Sequence, residues 1–356
     1  MSNTLGDKIR CTVFGQSHSE AIGIIIEGVP AGIALDMDFI NKFMARRAPG
    51  KGKHTTSRKE ADIPKIISGV VDGVTCGAPV CAIIENGDTR SADYDDLKKI
   101  PRPGHADFAA YTKFEGHNDI RGGGQFSGRL TAPLCFAGAL CMQILSERGI
   151  RIAAHIYEIA GIKDTPCDPV EPQNDLHNVA DKAFPVIDDD AGREMLSAVE
   201  EARLDGDSVG GIIECVVDGI DAGYGDPMFD GVENLISRAV FGVPAVKGIE
   251  FGAGFDVAKM RGSENNDPFE IKDGKVVATS NNAGGILGGI TNGMPIVFRC
   301  AIKPTPSISK EQKSIDLSQM KDAALSVKGR HDPCIVPRAV PAIEAVTAIA
   351  IANLII

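Results

Sequence analysis

No two cysteines stand in a Cys-x-x-Cys arrangement, although there are nine, at positions 11, 76, 81, 135, 141, 167, 215, 300 and 334. An odd number without that spacing, several of them inside apolar runs, argues against a disulfide frame or a zinc site and for reduced thiols in a cytoplasm. An apolar leader is missing as well: the chain opens MSNTLGDKIRCTVFG, which points away from export. The longest apolar run, 340–356, falls short of the ~20 residues that cross a bilayer and contains Glu344 and Asn353, so no membrane partner is expected. Cations are in deficit, 37 against 48 acids, for a formal net charge of −11. Phosphate backbones want a broad basic face, so nucleic acid is not expected either. No low-complexity linker interrupts the chain, and a single domain over 1–356 follows.

What is present is an ordinary globular composition, 43% hydrophobic and 24% charged over 356 residues, with material for a sizeable core. One internal echo organises it. Residues 23–47, GIIIEGVPAGIALDMDFINKFMARR, resemble residues 211–240, GIIECVVDGIDAGYGDPMFDGVENLISRAV. Each reads as a β-branched strand, a Gly-x-x-Ala-Gly turn (28–32 and 219–223) and an amphipathic helix, which suggests duplication. Residues 131–148 and 340–356 are apolar on nearly every face, and helices of that kind lie inside a protein. Strand-like runs at 24–27, 80–84, 211–217 and 295–302 surround them. The fold class expected is α+β, with buried helices covered by mostly antiparallel sheets and two related halves in one domain.

The stretch RRAPGKGKHTTSRK, residues 46–59, holds six permanent cations and no acid. Alone, such a run is usually a solvated loop. It is not a Walker loop, because Arg47 stands where the first glycine belongs and His54 follows Gly52 and Lys53. RGGGQFSGR, 121–129, fails as a dinucleotide fingerprint because Ser127 replaces the last glycine. Its glycines still allow backbone to approach a ligand closely, and it presents Ser127 and Arg129 near a helix start. Other polar loops join it. GQSHSEAIG carries Ser17 and His18, RPGHAD carries Arg102, His105 and Asp107, and GRHDP carries Arg330, His331 and Asp332. NNAGGILGG exposes backbone at 281–289, and KPTPS offers Lys303 with two stiffening prolines. A lone histidine is more often structural than catalytic, yet it is the side chain best suited to moving protons near neutral pH. Together these loops describe a pocket for a small, multiply anionic ligand and a flat or phosphate-bearing cofactor. They name neither the ligand nor the cofactor.

Three segments, GQSHSEAIGIIIEGVP, GGGQFSGRLTAPLCFAGAL and GRHDPCIVPRAVPAIEA, resemble the signatures of the chorismate synthase family. RPGHAD, NGDTRSADY, AVKGIEFG, NNAGGILGG and KPTPS match further blocks, in order, across essentially the whole chain. The resemblance implies a β-α-β sandwich, a cytoplasmic homotetramer and loss of phosphate from 5-enolpyruvylshikimate 3-phosphate by 1,4-anti elimination, giving chorismate. It implies reduced FMN as cofactor and leaves open whether NADPH reduces that flavin on this protein. No metal is implied.

Carried over residue by residue, substrate contacts fall on His18, Arg46, Arg47, Lys53, Arg58, Arg102, His105, Arg129 and Arg330. Flavin contacts fall on Ser17, Gln125, Phe126, Ser127, Pro244, Ala245, Gly288, Lys303, Pro304, Thr305, Pro306, Ser307 and Arg330. On the same pattern His105 protonates the flavin, His18 protonates the leaving phosphate and Asp332 assists at flavin N5. Two positions depart from the family. Gln125 and Phe126 stand where arginine and serine are frequent, and Lys53 where arginine is usual. A phosphate and two carboxylates on the substrate, beside a flavin phosphate, would repel one another without cations, which gives the basic run a reason.

Overall fold

The structure, a computed structural model, describes residues 3–50, 60, 62–87, 96–172, 176, 179–327 and 331–356. β1 (Thr4–Leu5), β2 (Arg10–Gly15), β3 (Ala21–Glu27), β4 (Lys65–Ser68) and β5 (Val80–Glu85) form an antiparallel sheet in the order β1-β2-β3-β5-β4. In β3 the period of two is plain: Ile22, Ile24 and Ile26 are fully buried, while Ile25 faces outward. α1 (Met37–Arg47) follows β3, its first turn capped by the Asp36 carboxylate accepting from Phe39 N. α2 (Asp107–Lys113) and α3 (Thr131–Ser146) complete this half.

The second half repeats the plan. It runs β6 (Arg151–Ile159), β7 (Ile162–Lys163), α4 (Asp189–Leu204), β8 (Gly211–Asp218), α5 (Val232–Val240), β9 (Val246–Phe251) and β10 (Ile296–Ile302). A hairpin of β11 (Gln312–Asp316) and β12 (Lys321–Leu325) and the helix α6 (Val336–Ile355) follow. Its sheet has the order β9-β10-β8-β6-β7, so β6-β8-β10-β9 matches β2-β3-β5-β4 strand for strand. The helices fall at matching points, α1 with α5 and α3 with α6. The repeated turn also matches: Gly28 and Gly219 have φ of 81° and 80°, and a methyl on either would strike a carbonyl of the preceding loop, Lys8 or Gly149. The echo seen in the sequence is therefore an architectural repeat, with α4 inserted into the second copy.

α3 packs on the first sheet, α6 on the second, and the two helices pack on each other. At their crossing a methyl on Gly138 would collide with Cα and Cβ of Ala345, so the backbones meet almost directly. One continuous buried cluster takes in both sheets and these helices. The outer face of the second sheet is covered too, Val216 and Val297 lying under Cys167 and Leu176, whereas Ile25 and Ile67 leave apolar surface on the first sheet open.

α6 begins four residues before the expected apolar run, at Val336 rather than 340. Pro337 sits in the first turn, where its missing N–H costs nothing, and Pro341 follows inside the helix. At 20 residues α6 is long and apolar enough to cross a bilayer, as is the stretch Gly128–Ser146. In each, 72% of the most apolar window is buried within the fold, as befits core helices. All nine cysteines are free thiols, seven of them buried, and burial pushes Cys11, Cys135, Cys300 and Cys334 up to about 12.

Candidate active site

A cavity of about 580 Å³ opens where the ends of α1 and α5, the loop before α2, the glycine-rich turn before α3, the 303–307 segment and the start of α6 converge. Gln125, Phe126, Ser127, Pro244, Ala245, Lys303, Thr305, Pro306, Ser307, His105, Asp332, Arg47, Arg102 and Arg129 line it. Most of the sequence-predicted residues are thus brought to one place, although they span almost 290 positions of chain.

His105 is the best-oriented proton carrier among them. Its Nδ1 lies 2.5 Å from Asp107 Oδ1 and donates to it, leaving Nε2 free to act. Asp107 in turn accepts from Arg102 Nε and Nη2 at 2.7 and 2.8 Å. Burial opposes its charge, but hydrogen bonds from Arg102 and His105, and their charges, hold its carboxyl well below the usual carboxylate range. Arg102 also donates to Ser307 Oγ at 3.0 Å. Its guanidinium therefore anchors the partner of His105 as well as lining the cavity. The hairpin β11/β12 braces this loop, Ser314 Oγ donating to Pro101 O at 2.5 Å.

Gly122, Gly123 and Gly124 have φ of 60°, 83° and 55°, so the RGGGQFSGR turn runs in a conformation closed to most side chains. It passes between the two predicted histidines. A methyl on Gly122 would lie 2.8 Å from His18 Nε2 and against Ser17 Oγ, and one on Gly123 would lie 3.2 Å from His105 Nε2. Ser17 and His18 do not line the main cavity; they sit behind this turn. Ser17 Oγ and Thr305 Oγ1 are buried without a hydrogen-bond partner among the described residues. Ala245, another predicted contact, holds φ of 76°, a strained value for alanine, and its carbonyl accepts from Lys303 N at 3.0 Å.

The arginines of the cavity are counter-charged, and Arg47, Arg102 and Arg129 are buried. Arg47, only 3% exposed, pairs with Asp62 and donates from Nε to Thr131 Oγ1 at 3.1 Å. Arg129 pairs with the same Asp62 and with Glu60 at 2.8 Å. Arg338 Nη1 donates to Asp332 at 2.5 Å and its Nε to Arg47 O at 3.1 Å. Lys303 donates to Gly104 O, and burial together with nearby Lys247 keeps its ammonium below the usual lysine range.

Three expectations land elsewhere. Arg46 does not line the cavity: it turns inward to α6 and donates twice to Glu344, at 2.6 and 3.0 Å. Gly288 lies exposed in a small hairpin turn away from the cavity, and Pro304 is also exposed and absent from its lining. Lys53, Arg58 and Arg330 lie outside the described residues. The sequence reading missed Glu60, Asp62 and Arg338. The first two stand immediately after the basic run, in KEAD, and are its first acids; that adjacency was the available signal.

One His–Cys–Glu cluster, His155, Cys167 and Glu214, occurs among the described residues, and it belongs to the outer face of the second sheet. Its imidazole is shared between Asp164 at 2.9 Å and Glu214 at 3.1 Å. Burial opposes protonation, yet hydrogen bonds with Asp164, Cys167 and Glu214 raise its pKa well above the ordinary histidine value. Arg299 completes the network at 2.6 Å from Glu214.

Buried guanidiniums with matched counter-ions, an imidazole fixed by a carboxylate and a glycine turn between two histidines thus meet at one cavity. The chain belongs to the chorismate synthase family, whose sequence profile matches residues 9–356. It is 44% identical over 355 residues to the chorismate synthase of Dehalococcoides mccartyi, covering 99% of this chain and 96% of that one. To that of Lancefieldella parvula it is 46% identical over 363 residues, covering 99% and 95%, and to that of Archaeoglobus fulgidus 46% over 351 residues, covering 99% and 96%. A crystal structure of chorismate synthase superposes with a TM-score of 0.77 at 27% identity, covering 98% of this chain and 92% of that one. The activity is that of the family: a carbon–oxygen lyase that eliminates phosphate from 5-enolpyruvylshikimate 3-phosphate to give chorismate in the shikimate pathway.

Proposed function

We propose that the cavity is where this elimination takes place, with the whole chain, 1–356, acting as one unit. Arg47 and Arg129 hold the anionic groups of the substrate, and their fixed positive charge offsets the charge that grows on the departing phosphate. His18, behind Gly122, delivers a proton to that phosphate. His105, its ring aligned by Asp107, presents Nε2 to the cavity for proton transfer, and Asp332 stands across the cavity as a further carboxylate.

Reduced FMN fits the residues present. Ser17 and Thr305 each keep a buried hydroxyl without a partner among the described residues, as expected where a ligand completes the hydrogen bonding. Gln125 to Ser127, Pro244, Ala245 and the 303–307 segment supply a wall for a flat ring, and Lys303 a charge for its phosphate. When bound, the reduced flavin supplies electron density to the allylic system that expels phosphate and takes up the ring hydrogen. Phe126 at the frequent serine position leaves the wall apolar there and removes nothing essential to this scheme.

Assembly as a cytoplasmic homotetramer, without membrane or nucleic acid, is part of the same reading. Exposed Phe229, Phe255, Phe269 and Ile271 offer apolar surface for a second copy, and the net charge of −11 disfavours nucleic acid. The observation that carries the proposal is the Arg102–Asp107–His105 chain aimed into a cavity walled by Arg47 and Arg129. Anaerobic turnover with photoreduced FMN tests it. Chorismate formed with the flavin acting catalytically is the expected result, whereas stoichiometric flavin oxidation or no product would overturn it. Running the assay with NADPH in place of light shows whether the protein reduces its own flavin.

A further inference from the structure

We propose that Asp62 is a positioning residue for catalysis, the shared counter-ion that holds Arg47 and Arg129 side by side in the cavity wall. This rests on the reading that those two arginines bind the substrate. Each carboxylate oxygen serves a different guanidinium: Oδ2 accepts from Arg47 Nη1 and Oδ1 from Arg129 Nη1. The side chain of Asp62 is 0% exposed. The arginines come from distant parts of the chain, the last turn of α1 and the turn entering α3, and both face the cavity.

Two cations in one buried wall repel each other. Burial keeps Arg129 below the usual arginine range, the charge of Asp62 opposing that effect and the charge of Arg47 adding to it. Arg47 Nε also donates to Thr131 Oγ1 at 3.1 Å and Arg129 Nε pairs with Glu60 at 2.8 Å; the remaining contacts of these side chains are to scaffold. Arg47 Nη2 donates to Gly128 O at 3.2 Å, and Arg129 donates from Nε to Asn86 Oδ1 at 3.0 Å and from Nη2 to Glu85 O at 3.4 Å. A guanidinium has five N–H groups, more than the partners among the described residues take up, so both arginines keep donors there for a ligand. Asp62 sets the spacing of those spare donors. Without its charge the two guanidiniums would separate, and a phosphate or carboxylate bridging them would lose one contact.

The backbone supports a dedicated role. Asp62 has φ of 51°, in the left-handed region that non-glycine residues seldom occupy, and such conformations gather at functional sites. Asparagine tolerates the same region and has nearly the same shape, so Asp62→Asn keeps the fold of the turn while removing the charge and turning one of the two accepting oxygens into a donor.

The experiment measures KM for 5-enolpyruvylshikimate 3-phosphate with photoreduced FMN, and the FMN dissociation constant separately by flavin fluorescence. Asp62→Asn is expected to raise KM at least about tenfold, the scale of one lost charge-assisted contact, with FMN affinity within about twofold of the parent. In combination with Arg129→Lys the effects should be non-additive, the double variant binding substrate within about twofold of Arg129→Lys alone. An unchanged KM, multiplying effects, or FMN affinity falling in step with KM would each overturn the inference. Should Asp62→Asn not fold, Asp62→Glu takes its place, since it keeps the charge but displaces it by one methylene; a KM raised at least about tenfold with FMN affinity unchanged supports the positioning role and an unchanged KM refutes it. Arg47→Ala and Arg129→Ala separate the two levels. If neither raises KM, the substrate site itself is misassigned and both readings fall. If both raise it and Asp62→Asn does not, only the role of Asp62 falls.

Discussion

Arg46 and Glu344 form a bidentate pair across the core, Nη1 to Oε2 at 2.6 Å and Nη2 to Oε1 at 3.0 Å. Glu344 is 0% exposed in the middle of α6, and its Oε1 also accepts from Ala154 N at 2.8 Å. One carboxylate thus ties α1, α6 and β6 together. Glu344→Ala leaves a buried guanidinium and a backbone N–H without partners, and should cost about 3–5 kcal/mol. Urea unfolding checks this. Arg46→Ala should also destabilise, yet leave the substrate KM of the folded enzyme within about threefold, because Arg46 is spent on structure.

His105→Ala and His18→Ala should each cut turnover by about 10²-fold or more while the melting temperature stays close to the parent's. Full activity in either variant would remove that histidine from the chemistry.

Acid stability should depend on Asp107 and Asp62. Burial opposes both charges, but arginine partners, with His105 as a further partner of Asp107, hold both carboxyls below their usual range. A depressed folded pKa means that the contribution is fully present above the unfolded value of about 3.9, and is lost as pH falls through the folded value. The stability gap between parent and Asp107→Asn should therefore stay constant from about pH 7 to pH 5 and narrow below about pH 4. Urea midpoints across that range measure it; a gap that persists undiminished at about pH 3 would contradict the ion pair.

Gly122→Ala places a methyl against Ser17 Oγ and within 2.8 Å of His18 Nε2, at a φ of 60°. Left-handed backbone costs an L-residue roughly 1–2 kcal/mol before any clash is counted. Flavin affinity and turnover should both fall at least about tenfold with the core intact, as read by near-ultraviolet circular dichroism. Gly128→Ala is the control, since none of the described residues lies within 4 Å of the methyl it would add.

Much of this protein could be read from its residues in order. The β-branched run of β3, the all-round apolar character of α3 and α6, and the repeated Gly-x-x-Ala-Gly turn are local properties, and each became the element it implied. Motif order likewise led to the family, and loops as far apart as 102–107, 121–129 and 303–307 did meet around one cavity. What only the tertiary structure decided was how each charge is used. Arg46 and Arg47 are adjacent in sequence and identical in chemistry, but successive residues on a helix point about 100° apart. One therefore faces Glu344 in the core and the other faces Asp62 at the cavity. Charge is written in the sequence, whereas its partner is set by which elements pack together. That is why Asp62, Glu60 and Arg338 emerged only once the two halves had closed around the site.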